Sequence, residues 1–290
     1  VRADDALRLF VGAVPGHGRG PWGPAVPLAP GAEFDLPDTA AAHVKVRRLQ
    51  PGAALRLFDG TSGLEWPAEV RGITRGAVQV RLAEAPVPAT AAELPVAVSL
   101  AFGMPANERV DALVEKATEL GAAELWPLMS ERSVLRLEGE RADRRRAHWQ
   151  AVAAAACEQC GRARVPRVHA VQPLLPWLAT RAGEGTAAAA GAGSDSSGTA
   201  APALARWLLS TQADAAPLAT GAAVCPPTQV LVLSGPEGGF SASETGAAFA
   251  AGFVAVSLGP RVLRADTAPL AVLAWLAIAS AQRPEPKSGA

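Results

Sequence analysis

Three cysteines are too few to staple a chain of 290 residues, which excludes a disulfide scaffold and points to a reducing compartment. Cys157 and Cys160 form a CxxC, yet no second ligand pair completes a tetrahedral zinc site, and the residues between them continue an Ala-rich helical pattern. They read as two thiols on a helix, with no metal. No apolar run approaches the roughly 18 to 20 residues of a membrane span, and no basic-then-apolar leader opens the sequence, so the expected location is cytoplasmic. Formal net charge is zero, so overall basicity gives no argument for a nucleic-acid partner. Lysine occurs 3 times against 24 arginines, and isoleucine twice; that pattern follows GC-rich coding and carries little functional weight. There is no Gly-Lys-Ser/Thr phosphate loop. The spaced glycines Gly16, Gly18 and Gly20 lie in a Pro/Gly stretch with no strand before them.

What is present is enough apolar material, 49% of residues, for one large or two ordinary domains. Residues 1–85 show short alternating runs at Arg8–Gly12, Ala53–Phe58, Leu64–Val70 and Ala77–Leu82, with turn signals between them. A helix capped by Asp38 and stopping near Pro51-Gly52 interrupts them, and the segment is expected to form a small barrel. The Pro-rich stretch 86–95 reads as a linker. Residues 96–283 alternate strand and helix: strands at Val96–Phe102, Glu124–Leu128, Val165–Val168, Ala205–Ser210, Gln229–Leu233 and Phe253–Ser257, with helices at 107–120, 141–160 and 266–281. That alternation implies a parallel α/β sheet. The Ala/Gly/Ser/Thr stretch 181–203 has little to bury and is expected to be a mobile insertion.

Two of these strands end in Gly-Pro loops, Ser234-Gly235-Pro236-Glu237-Gly238-Gly239-Phe240 and Leu258-Gly259-Pro260-Arg261-Val262-Leu263-Arg264, each followed by a helix. Ligands of open parallel sheets settle beyond the carboxyl ends of the strands, where glycines admit close backbone approach. Glu237 disfavours a phosphate in the first loop and favours a neutral or cationic ligand.

Together with Glu115-Lys116-Ala117-Thr118-Glu119-Leu120-Gly121, Ser130-Glu131-Arg132-Ser133, Glu158-Gln159-Cys160-Gly161-Arg162 and Val165-Pro166, Glu244 and Thr267-Ala268, these loops closely resemble the RsmE family. The amino-terminal residues His43-Val44, Val46, Arg48, Gly52 and Phe58-Asp59-Gly60 extend the resemblance over nearly the whole chain. The family's pattern differs at three positions, where this chain has Ser234, Asp266 and Arg47. The resemblance implies a SPOUT-type trefoil-knotted domain behind a smaller PUA-like β-barrel. It also implies methyl transfer from S-adenosylmethionine to N3 of a uridine in 16S ribosomal RNA, free or in an assembled small subunit, by a homodimer without metal. The alternatives are a SPOUT methyltransferase acting on another RNA atom, such as a ribose 2′-oxygen, and an RNA-binding protein that keeps the knot without transfer.

On this resemblance the donor is held by Leu233, Gly235, Pro236, Glu237, Gly238, Gly239, Leu258, Gly259, Arg261, Val262, Leu263 and Thr267. Attack by a uridine nitrogen needs its proton removed or the resulting anion stabilised. Arg264 and Arg8 are the expected cations for phosphate or the developing oxyanion, and Glu237 or Asp266 the expected proton acceptor, with Glu237 equally readable as a carboxylate that bonds loop N–H groups and fixes the turn. RNA contacts are expected at Lys45, Arg47, Arg48, Arg132, Arg162 and Arg164. Arg141, Arg144, Arg145 and Arg146 read as a solvated mixed-charge face, His43 as a structural histidine, and Glu119 as a partner of Arg132.

Overall fold

A computed structural model describes residues 6–12, 26, 28–190, 204–218 and 228–281. The chain divides into two compact units, residues 1–93 with 147–166, and residues 94–146 with 167–290. Periodicity alone assigns 147–166 to the carboxyl-terminal domain; by their contacts they cluster with the first unit. Cys225, Pro284, Pro286 and the part of the expected insertion beyond residue 190 lie outside the described residues.

The first unit is built on strands β1 (Leu7–Phe10), β2 (Glu33–Asp35), β3 (Ala54–Phe58), β4 (Leu64–Ile73), β5 (Val78–Leu82) and β6 (Val87–Pro88). They form one sheet in the order β1-β3-β4-β5-β2, with β6 on β4. Only the β1/β3 pair is parallel. Along β5 the residues Val78, Val80 and Leu82 are buried while Gln79 and Arg81 are exposed, the period-two pattern of a half-buried strand. A register shift between Val70 and Gly72 bends β4 against β5. Helix α1 (Asp38–Val46) lays Ala40, Ala41 and Val44 on the apolar face of this sheet. Its cap position is Pro37, without a side-chain cap; Asp38 is the first helical residue rather than the cap, and its charge faces the positive end of the helix.

A second cluster in this unit is made by Phe10, Phe58, Ala154, Cys157 and Ala163. Three of these lie in or just after helix α3 (Gly139–Cys160), whose carboxyl-terminal half belongs to this unit. Arg8 fastens it: Nη1 donates to the carbonyls of Cys157 and Glu158, and Nη2 to that of Arg162. These carbonyls lie in the last turn of the helix and just beyond it, where helical pairing runs out.

The second unit carries an all-parallel sheet of β7 (Ala97–Gly103), β8 (Ala122–Met129), β9 (Arg167–Val168), β10 (Gln172–Pro173), β11 (Leu204–Leu209), β12 (Ala216–Pro217), β13 (Gln229–Ser234) and β14 (Val254–Ser257). Their order is β10-β8-β7-β13-β11-β14-β12, with β9 on β8. Five successive residues of β13, Val230 to Ser234, are buried, as in a central parallel strand covered on both faces. Helices α2 (Asn107–Glu119), α4 (Leu174–Ala190), α5 (Ala242–Ala250) and α6 (Thr267–Ala281) complete the unit. Helix α2 stops where Gly121 takes φ +97°, and a Cβ there would fall 2.4 Å from Leu94 Cγ. Residues 181–190, expected to belong to an unstructured insertion, are the last turns of α4. The alanines of this stretch favour helix even where there is little to bury. No helix among the described residues is long and apolar enough to cross a membrane.

Candidate active site

The carboxyl ends of β13, β11 and β14, adjacent in the sheet, open onto a cavity of about 510 Å3. Its walls are Leu209–Thr211 after β11, Ser234–Phe240 after β13, and Leu258, Gly259 and Arg261–Arg264 after β14, with Ala265 and Ala268 leading into α6.

Neighbouring strand ends fix the first of these loops. Gly103, closing β7, lies so near that a Cβ on it would come within 2.5 Å of Pro236 Cδ. Beyond β8, Arg132 Nη1 donates to the Gly238 carbonyl at 2.9 Å, and Ser133 Oγ accepts from the Ser130 N–H at 3.0 Å. Within the loop, Gly239 N donates to the Pro236 carbonyl at 2.9 Å, and Gly239 takes φ +66°, a conformation glycine adopts without strain.

Glu244 closes the construction. Ser241 Oγ accepts from Glu244 N, and Glu244 Oε2 accepts from Ser241 N at 2.9 Å, a capping box opening α5. The other carboxylate oxygen accepts from Glu131 N at 2.7 Å. A side chain only 3% exposed thus caps a helix and joins it to the segment after β8. In the second loop Gly259 takes φ +101° and donates its N–H to Ser257 Oγ at 3.2 Å. The Arg264 carbonyl accepts from Thr267 N and Ala268 N, both at 3.0 Å, which seats Arg264 at the amino-terminal end of α6.

Of the residues expected to hold a ligand, Gly235, Pro236, Glu237, Gly238, Gly239, Leu258, Gly259, Arg261, Val262 and Leu263 line the cavity, whereas Leu233 and Thr267 do not. Leu233 is a fully buried core residue of β13. Arg264 and Glu237 line the cavity and Asp266 does not; its Oδ1 accepts from Thr267 Oγ1 at 3.4 Å. Leu209, Ser210 and Thr211 were missed. Their strand is visible in the sequence, but its end carries no Gly-Pro signal and its place between β13 and β14 is a matter of topology. Arg109 on α2 was also missed: its Nη1 lies 2.8 Å from Glu237 Oε1.

The structure sorts the arginines. Among the described residues, the exposed side chains of Arg261 and Arg264 take no hydrogen bond or ion pair. Arg8 is the opposite case. Its guanidinium is committed to Glu65, with Nε to Oε1 at 2.6 Å, and to three carbonyls, a structural engagement beside the phosphate or oxyanion role expected of it. Arg162 is 3% exposed and bound to Glu93 at 2.9 Å. Arg164 donates to the Thr61 and Ser62 carbonyls. Both make ties within the first unit. Arg132 reaches Gly238 and not Glu119, which pairs instead with Lys116 at 2.8 Å. Arg47 and Arg48 are exposed at the end of α1, and Lys45 Nζ donates to the Arg75 carbonyl.

Other titratable groups serve the scaffold. The hydrogen bond from Cys157, opposed by burial, draws the Cys160 thiol down to about 6, and the same bond followed by burial pushes Cys157 up. Burial raises Glu158 against the Phe10 N–H, His43 and Arg8, which pull it down; His43 Nδ1 lies 3.3 Å from Glu158 Oε2. Among the described residues no group of three or more His, Cys, Asp or Glu could hold a metal.

Residues 92–277 match the family model described as an RNA methyltransferase domain, and residues 36–83 match the one described as an RNA methyltransferase PUA domain. The class is therefore an RNA methyltransferase in which a parallel α/β domain carries a PUA domain. The ribosomal RNA small subunit methyltransferase E of a Synechocystis species is 32% identical over 82% of this chain and 71% of its own length. The protein of the same name from Mycobacterium bovis is 32% identical over 82% of this chain and 87% of its own. A crystal structure of a ribosomal RNA small subunit methyltransferase E from Neisseria gonorrhoeae, bound to S-adenosyl methionine, superposes with TM-score 0.74 at 30% identity, covering 93% of this chain and 96% of that one. The chain belongs to the ribosomal RNA small subunit methyltransferase E family.

Proposed function

We propose that this chain transfers the methyl group of S-adenosylmethionine to N3 of a uridine in small-subunit ribosomal RNA. The observation that carries the reading is the cavity itself. Three adjacent strand ends enclose about 510 Å3 with glycine-rich walls, in a chain that aligns over 93% of its length with a relative crystallised with that donor. The residues fit such a ligand. Backbone groups at Gly235, Gly238, Gly239 and Gly259 are accessible to the adenine and methionyl parts, Leu258, Val262 and Leu263 supply apolar wall, and Glu237 tolerates positive charge. The knotted threading implied by family resemblance belongs to this reading, supported by the insertion of β11 between β13 and β14.

A sulfonium donor supplies an activated methyl and a neutral leaving group. What remains for the protein is to align the two reactants and to manage the N3 proton and the oxyanion that its loss creates. Arg264 is assigned to the oxyanion or an adjoining phosphate, supported by its position on the cavity wall and its uncommitted guanidinium, with Arg261 beside it in the same loop. Asp266 is assigned as proton acceptor by its sequence position, and Glu237 is the weaker choice because Arg109 occupies one of its oxygens. Arg47 and Arg48, exposed at the end of α1, are assigned to RNA phosphates. A homodimer is supported by apolar side chains left in water on the second unit, Val262 at 82% and Ile278 at 63% exposure.

The test is incubation with methyl-labelled S-adenosylmethionine and small ribosomal subunits from cells lacking the modification, followed by digestion to nucleosides. Label in 3-methyluridine is expected. Label in a ribose-methylated nucleoside, or binding of the donor without transfer, would replace this reading by one of its two rivals.

A further inference from the structure

We infer that Arg109 sets how strongly the donor cavity distinguishes the sulfonium donor from its neutral product, by sharing the carboxylate of Glu237. The inference rests on the donor reading proposed above. Among the described residues lining the cavity, Glu237 is the one carboxylate; the other charged members are Arg261 and Arg264. Arg109, projecting from α2, is not part of the wall, yet its Nη1 lies 2.8 Å from Glu237 Oε1.

Methyl transfer changes the ligand's charge by one unit. The bond between sulfur and the methyl carbon breaks with its electron pair going to sulfur, a bond forms from the methyl to the uridine nitrogen, and the proton of that nitrogen leaves to an acceptor. Before the step the cavity holds a sulfonium cation; afterwards it holds a thioether lacking that charge and one methyl. A carboxylate in the wall interacts with that difference, favouring the donor over S-adenosylhomocysteine. A guanidinium paired with the carboxylate cancels part of the preference. At 38% and 32% exposure the two side chains are partly screened by solvent, so the effect is modest.

Arg109 is therefore a positioning residue that acts through Glu237. It has two consequences at once. The ion pair helps hold the Gly235–Gly239 turn against α2, and it lowers the charge that the turn presents to the ligand. Its removal is expected to weaken loop order, which touches donor and product alike, and to sharpen discrimination, which does not. The ratio of the two affinities separates these consequences, because a uniform loss cancels from it.

The experiment is calorimetric titration of the full chain with S-adenosylmethionine and, separately, with S-adenosylhomocysteine, for the unaltered protein and for Arg109→Gln, Arg109→Lys and Glu237→Gln, at low and at high salt. Arg109→Gln is expected to raise the donor-to-product affinity ratio about threefold, with the gain shrinking at high salt. Arg109→Lys keeps the ratio of the unaltered protein, and Glu237→Gln lowers it by a similar factor. An unchanged ratio in Arg109→Gln, with both ligands still bound, overturns the inference and leaves the donor reading standing. Failure of the unaltered protein to bind the donor overturns the donor reading and takes this inference with it.

Discussion

Replacing Glu244 by alanine should be costly far out of proportion to its size. Its carboxylate is 3% exposed and accepts two backbone N–H groups, Glu131 N at 2.7 Å and Ser241 N at 2.9 Å. Removal leaves both donors without their acceptor, in a place where water enters poorly, at about 1 to 3 kcal/mol apiece. Half of the capping box of α5 goes with it, within the range of about 0.5 to 2 kcal/mol for a lost cap. These overlap, because the Ser241 bond counts in both, so about 3 kcal/mol is the expected loss. For a domain of this size that is a fall of about 6 to 12 °C in the melting temperature. Glu244→Gln retains one acceptor oxygen and should lose about a third as much. Thermal and urea denaturation of both variants would measure this. A Glu244→Ala protein within about 0.5 kcal/mol of the original would refute the claim that one buried carboxylate fastens the loop to the segment after β8.

Gly238→Val is expected to abolish donor binding by calorimetry. A Cβ at Gly238 already sits 3.1 Å from Arg132 Cβ, and the two added methyls must move Arg132 or enter the cavity. Arg264→Ala should retain donor affinity while methyl incorporation into small subunits falls by at least about a hundredfold, the range for losing one preorganised donor to a developing oxyanion. Arg162→Ala should cost about 3 kcal/mol in urea denaturation, because it leaves the Glu93 charge with only the Arg164 N–H as a partner, with RNA affinity of the folded protein unchanged; a drop in RNA affinity at full stability would support the role its sequence position suggests. For Glu124, the imidazole of His169, whose Nε2 lies 3.4 Å from Oε2, set against desolvation, holds the carboxyl below its ordinary value of 4.5. The folded pKa lies below the unfolded one, so this contribution is fully present above the unfolded value and lost as pH falls through the folded value. Glu124→Gln should therefore be destabilising at neutral pH, with the difference vanishing in acid melts.

Much of the fold is legible in the sequence because its signals are local. Buried parallel strands such as Gln229–Ser234 read as short continuous apolar runs, and Gly-Pro turns mark where they end. The two loops found this way supply most of the cavity wall. What stayed hidden depends on partners distant along the chain. Arg8 meets the Cys157 carbonyl across 149 residues, and Arg162 meets Glu93 across 69; nothing local distinguishes these arginines from Arg261 and Arg264. The third wall of the cavity, Leu209–Thr211, enters through strand order, which periodicity does not encode. The helical pattern of 141–160 is plain in the sequence, but the unit on which its second half packs depends on which apolar surface receives Ala154 and Cys157. In 181–190 the low burial outweighed alanine's helix preference in the expectation of an unstructured segment, and the preference prevailed.

The most direct measurement is a crystal structure of this chain grown with S-adenosylmethionine at saturating concentration. Density for the donor is predicted between the turns Ser234–Phe240 and Leu258–Arg264, with Leu209–Thr211 closing the third side. Donor density elsewhere on the chain, or a cavity left without it at saturation, would contradict the account.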